Sequence, residues 1–319
     1  MSDIFYCEMI DGKLNNHQFV GEFHYLGQSF EGNSHPDIVT IESKIFGRIN
    51  GFSKRYEIHG KLNDIEILLK QYAYIFSVKT ADIVVVYYDI NYLNKYSIVS
   101  MNVVSNNSKK LISLKEMRDE LYFDICQEEN LEKWIIEWLK IRNRKTPEKG
   151  IWDVEAKSLN EYKYSLFFGF ETVKIYCAKH KFSLNLKEYT TQYINMIIFD
   201  IIVQQKDRTP SNYGVIIDND ENAFLSPLFD NSKLYKPYVD SKKVIINNLI
   251  GERKMYIDAL IKVFGEQAIM AMKSACKRWD NFQNINNNMS SFYLKQPDLI
   301  EELQSIIQDG ICIMKNYIK

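Results

Sequence analysis

The stretch EYTTQYINMIIFDIIVQQKDRTPSNYGVIIDNDENAFLSPLFDNS, residues 188 to 232, decides how the chain folds and what it can do. It opens with Tyr189, Tyr193, Met196 and Ile197 at i, i+4, i+7 and i+8, the spacing of an apolar helix face. Pro210 stops any helix, because it lacks the N–H and its ring clashes with the preceding turn. Beyond it YGVII predicts a short strand, DNDEN a turn, and FLSPLFD a second apolar run closed by an acid. This order places Asp207 and Asn212 in a polar loop and Asp230 beyond the second strand, so the three can converge at one end of a β-ribbon.

Such a set is what phosphoryl transfer needs. A carboxylate takes the proton of the attacking hydroxyl, and oxygen ligands hold Mg²⁺ across the phosphates. Protein kinases space the base and the amide ligand as Asp-x-x-x-x-Asn and supply a second Asp after a hairpin. Asp207 and Asn212 have that interval, but so do Asp11 and Asn16, in a region with no supporting context. Turn capping is the alternative role for such residues, and the setting has to decide between them.

In that setting, Lys206-Asp207-Arg208-Thr209-Pro210-Ser211-Asn212-Tyr213-Gly214, preceded by Phe199-Asp200 and followed by Ser226-Pro227-Leu228-Phe229-Asp230-Asn231, resembles the signature of HipA-like kinases. The match is most specific over these 45 residues, and a chain of this length is similar to the compact, single-chain members of the cell-translocating kinase type. The resemblance implies a two-lobed α+β fold related to protein kinases, with ATP in the cleft and the γ-phosphoryl group passed to a serine or threonine hydroxyl of a protein. It implies Asp207 as base, with Asn212 and Asp230 on Mg²⁺ or Mn²⁺. It also implies a toxin held by an antitoxin or other regulatory partner, or a secreted effector. Two positions depart from the family: Gln205 stands where Asn is usual and Thr209 where His is usual. A nucleotide-binding pseudokinase acting as an interaction module, and a nucleotidyl or small-molecule phosphotransferase, are the competing readings.

The first hundred residues read as strands. VTIESKIFGRI and FSKRYEIHG flank Asn50-Gly51, a strong hairpin signal. A helix follows, with Ile65, Leu68, Leu69 and Tyr72 at helical spacing, and then ADIVVVYYDI and YSIVSMNVV form a second hairpin. The polar SNNSKK, residues 105 to 110, predicts a hinge between a β-rich N-lobe, 1–108, and a mainly helical C-lobe, 109–319. Helices are expected over LEKWIIEWLKI and near 158–166, 186–205, 252–279 and 298–317.

A kinase N-lobe needs a cation on the phosphates, paired with a Glu on the following helix. Glu66 is the natural acid; Lys61, taken as the end of the preceding strand, is preferred to Lys54 earlier in it. The loop from Gly27 to His35, containing Gly32, has the composition of a phosphate-covering loop without a Gly-x-Gly-x-x-Gly pattern. The family resemblance makes Ser34 in it a candidate autophosphorylation site, with Ser29 behind it. Asp200 interrupts an apolar helix and needs a partner if buried, for which Arg208 is near; a solvent-facing Asp200 is the alternative.

Composition excludes several classes. With 40 basic and 41 acidic residues there is no global field to hold a nucleic acid or an anionic membrane. The basic residues Arg142, Arg144, Lys145 and Lys149 read as a solvated loop, and the five histidines show no metal-ligand spacing. The five cysteines are scattered, which predicts buried thiols in a reducing compartment rather than disulfides. An acidic N-terminus unlike a signal peptide and the lack of a long apolar run predict a cytoplasmic chain.

Overall fold

The computed structural model describes residues 4–10, 13–15, 20–28, 37–43, 47–55, 61–87, 96–101, 108–127, 159–205, 208, 212–229, 242–284 and 298–319. The N-terminal strands are β1 (Ile4–Ile10), β2 (Lys13–Asn15), β3 (Val20–Gln28), β4 (Asp37–Ser43), β5 (Gly47–Arg55), β6 (Ile83–Tyr87) and β7 (Tyr96–Met101). They close into a barrel in the order β1-β2-β3-β4-β5-β7-β6. Closure comes from a parallel pairing of β1 with β6, which matches Ile4 to Ile83 and Glu8 to Tyr87. Buried Val39, Ile41, Val84 and Val99 share one face by register.

The Asn50-Gly51 hairpin does not form. β5 runs through both residues, pairing Asn50 with Thr40 and Gly51 with Val39, and the connection from β4 falls between Ser43 and Gly47. Asn50 instead accepts a hydrogen bond from Thr40 Oγ1 at 2.8 Å. Gly51 is needed for close approach, because a Cβ there would lie 2.7 Å from Val99 Cγ1 and 2.8 Å from the Ser100 carbonyl oxygen.

Helix α1 (Lys61–Ile75) stands between β5 and β6, as its periodicity predicts. Its apolar face packs on the helical part: Tyr72 lies 6.2 Å from the Trp279 ring, and Phe76 stacks on Trp279 at 6.1 Å. The second hairpin, β6 with β7, also forms. The expected hinge enters a strand at Ser108: β8 (Ser108–Ser113) pairs with β10 (Gly214–Asp218), which joins β11 (Asn222–Leu225) and β9 (Ser183–Leu184) in a four-stranded sheet.

The remaining helices are α2 (Leu114–Gln127), α3 (Leu159–Lys179), α4 (Leu186–Val203), α5 (Lys242–Phe264), α6 (Glu266–Asn284) and α7 (Asp298–Tyr317). The single helix expected over 252–279 is two, because Gly265 takes a left-handed φ of +55° and turns the chain between α5 and α6. The fold is thus α+β, with a β-rich N-terminal and a mainly helical C-terminal part. Cys177 and Cys276 are buried as expected, whereas Cys312 is exposed, on the outer face of α7. The helix expected over 131–141 and the basic stretch after it lie outside the described residues.

Candidate functional site

Strand β5 brings Lys54 to the barrel's outer face, where the alternation of the strand also puts Asn50 and Phe52. There its ammonium meets the Glu66 carboxylate of α1 at 2.8 Å, with the two side chains 8% and 3% exposed. One turn earlier on α1, Asn63 donates from Nδ2 to the Lys54 carbonyl at 2.8 Å and clamps the start of the helix onto the strand. A buried ion pair is costly to desolvate and weak as a stabiliser. Lys61 is the first residue of α1 rather than the end of a strand as expected, and the lysine described on Glu66 is Lys54. The side chain of Lys61 lies outside the described residues. The sequence reading carries the strand through FSKRYEIHG to Lys61, whereas β5 is Gly47–Arg55 and Lys61 opens α1.

Helix α4 supplies the second element. Asn185 caps it, accepting from the Glu188 N–H at 3.2 Å, and Gln204 ends it in the left-handed region at φ 55°. Its last-turn carbonyls would be orphaned, and buried Arg253 takes them: Nε donates to Ile201 O at 3.1 Å and Nη2 to Ile202 O at 2.8 Å. Burial pulls the Arg253 guanidinium down to about 10, with Asp309 acting against it. No motif pointed to Arg253, because its partners are backbone atoms some fifty positions away.

Asp200 and Arg208 form the buried pair expected of them. Arg208 Nε reaches Oδ2 at 3.0 Å and Nη2 reaches Oδ1 at 2.9 Å, a bidentate fork. Burial pushes the Asp200 carboxyl above its ordinary value, and the guanidinium opposes that shift. The same arginine donates from Nη1 to the Phe229 carbonyl at 3.5 Å. The neighbour of Asp207 is therefore tied to the neighbour of Asp230.

Asn212 is buried at the entry to β10. The next two residues are locked in place, Tyr213 by its carbonyl on the Leu114 N–H at 2.9 Å and Gly214 by its N–H on Ser226 Oγ at 3.0 Å. A tight turn joins β10 to β11, with Asp218 Oδ1 accepting from the Asp220 and Asn222 N–H groups. After β11 the chain reaches Leu228, whose N–H donates to Lys79 O at 2.9 Å and whose carbonyl accepts from Ala81 N at 2.8 Å. The segment leading to Asp230 is thereby sewn to the turn between α1 and β6.

The structure thus pairs Lys54 with Glu66 between β5 and α1, ties Arg208 to Asp200 and the Phe229 carbonyl, and buries Asn212 at the entry to β10. Asp207, Asp230, Gly32, Ser29 and Ser34 lie outside the described residues. Among the described residues, no cluster of three His, Cys, Asp or Glu side chains could hold a metal ion.

No protein-family profile matches the chain, and no curated protein does. Among solved structures it is similar to a proinflammatory kinase of Helicobacter pylori, CtkA, at 14% identity over 88% of this chain and 94% of that one, with a TM-score of 0.46. It is also similar to a chain of the toxin–antitoxin complex of HipA, HipB and operator DNA from Shewanella oneidensis MR-1. There the identity is 9% over 97% of this chain and 66% of that one, with a TM-score of 0.37.

Proposed function

We propose that the chain is an ATP-dependent phosphotransferase of the HipA-like kinase type, passing the γ-phosphoryl group to a serine or threonine hydroxyl of a protein. The observation that carries this reading is the buried Lys54–Glu66 pair between a barrel strand and the helix after it. In protein kinases that pair orients the nucleotide phosphates. Here Lys54 contacts the phosphates and Glu66 holds its ammonium in position. Asp207 accepts the proton of the acceptor hydroxyl.

Asn212 supports a divalent ion, since its amide offers the hard oxygen that Mg²⁺ accepts beside one carboxylate, here Asp230, and substrate phosphates. The ion neutralises charge on the phosphates when bound. Arg208 keeps the flanks of Asp207 and Asp230 in register through Asp200 and Phe229.

The partners proposed are a protein substrate and an antitoxin or other regulatory protein, in the cytoplasm. Direct nucleic-acid binding is not proposed, given the balanced charge. Among the described residues no helix is long and apolar enough to cross a membrane. The pseudokinase reading is favoured by Gln205 and Thr209, and one experiment separates the alternatives. Incubation with ATP labelled at the α or the γ position should put γ label on protein serine or threonine. Label from the α position means nucleotidyl transfer, and retained binding with neither label means a pseudokinase; either result refutes the kinase proposal.

A further inference from the structure

Lys70 is a buried cation that the proposed chemistry does not use. It stands on α1 one turn after Glu66 and is 6% exposed. Its ammonium donates to the Ala81 carbonyl and to Asp82 Oδ1, each at 2.9 Å, and lies 3.4 Å from both oxygens of Thr80. Burying a lysine is costly unless its three donors are matched, and all of these partners come from one short segment, residues 80 to 82. That segment is also the one bonded to Leu228, through Ala81 N to Leu228 O at 2.8 Å and a parallel bridge from Thr80. Leu228 is 1% exposed and stands two residues before Asp230.

A connected route therefore runs from Glu66 along one helical turn to Lys70, across to Ala81, and through backbone hydrogen bonds to the chain entering Asp230. Two short hydrogen bonds carry it, Lys70 Nζ to Ala81 O at 2.9 Å and Ala81 N to Leu228 O at 2.8 Å, with one helical turn joining Glu66 to Lys70. We propose that Lys70 is a positioning residue that locks α1, and with it the Lys54–Glu66 pair, to the segment carrying Asp230. Its catalytic consequence rests on the phosphotransfer reading, while the mechanical coupling does not. Moving α1 away would loosen the 80–82 segment and release Leu228, so the phosphate cation and the metal acid are set together.

The test is Lys70→Met in the full chain, with amide hydrogen exchange and a metal titration. Exchange at Ala81 and Leu228 should quicken at least tenfold while Val215 in β10 stays unchanged. The Mn²⁺ concentration giving half of the ATP-dependent thermal shift should rise at least fivefold, with ATP affinity at saturating metal changed less than threefold. Asp82→Asn, at a side chain 42% exposed, should move both readouts the same way by less, and it decides the matter if Lys70→Met does not fold. Unchanged exchange at Ala81 and Leu228, or equal quickening at Val215, overturns the coupling. Quickened exchange with an unchanged metal requirement overturns the link to Asp230. A wild-type chain with no ATP-dependent shift would instead count against the phosphotransfer reading, and the exchange measurement would still decide the coupling.

Discussion

Replacing Lys54 by methionine should destabilise the protein far more than replacing Lys54 and Glu66 together. Methionine keeps the length of the lysine stem, so the variant removes the charge with little change in packed volume. It leaves the Glu66 carboxylate, 3% exposed, without the ammonium that sits 2.8 Å away. Breaking a buried pair from one side costs about 3–5 kcal/mol, because the remaining charge stays desolvated, whereas apolar replacement of both partners is often neutral. Unfolding entropy of roughly 2.1 cal/mol/K per residue over 319 residues gives about 0.67 kcal/mol/K. The single variant should then melt about 4–7 °C lower if unfolding is two-state. Lys54→Met with Glu66→Leu should recover most of that loss, leaving the double variant about 3 kcal/mol or more above the Lys54→Met single. Phosphoryl transfer should be lost in both variants, since stability is restored without the cation. Urea and thermal unfolding of the four proteins, with γ-label transfer on each, measure the cycle. A double variant no more stable than the single one would refute the buried-pair energetics. A Lys54→Met variant with wild-type transfer would refute the role given to Lys54.

Asp207→Ala should remove phosphoryl transfer and leave ATP affinity within about threefold, because a base acts on the hydroxyl in the transition state rather than on the nucleotide; titration of the variant with ATP checks it. ATP at about 100 times its dissociation constant should add roughly 2.7 kcal/mol to stability only with Mg²⁺ or Mn²⁺ present. Asp230→Ala should abolish that metal-dependent part, read by thermal unfolding with and without EDTA. Arg208→Met removes the group opposing the burial shift on Asp200, whose carboxyl already sits above its ordinary value. A raised carboxyl binds its proton more tightly folded than unfolded, so its contribution is complete below the unfolded value of about 3.9 and fades as pH rises through the folded value. The deficit of Arg208→Met relative to wild type should therefore be small near pH 4 and grow with pH, measured by urea unfolding across that range. Gly51→Ala should cost about 1–3 kcal/mol, since the new methyl meets Val99 Cγ1 at 2.7 Å and the Ser100 carbonyl at 2.8 Å.

Elements whose apolar spacing is set by local geometry were legible. Helix α1, helix α4, the β6–β7 hairpin and α7 each place buried residues at the period their backbone imposes, and a linear pattern is enough to see it. The Asp200–Arg208 pair was legible for a similar reason: a carboxylate inside an apolar helix is costly alone, and a cation eight residues on is within reach. Asn50-Gly51 misled because glycine answers two different needs. It permits a tight turn, and it also lets two strands approach where a Cβ would collide, and the second need depends on Val99 and Ser100, nearly fifty residues away.

By itself the sequence determined the helical segments that became α1, α4 and α7, the β6–β7 hairpin, the order of the loop from Asp207 to Asn212, and the acid at Asp230. Only the tertiary structure decided that Lys54 meets Glu66, that β1 closes the barrel on β6, and that Lys70, Ala81 and Leu228 form one connected set. The division has a physical cause. Periodicity is fixed by the chain's own dihedral angles, whereas a pairing between distant segments is chosen by burial, cross-strand register and the matching of desolvated charges, none of which exists until the chain has folded.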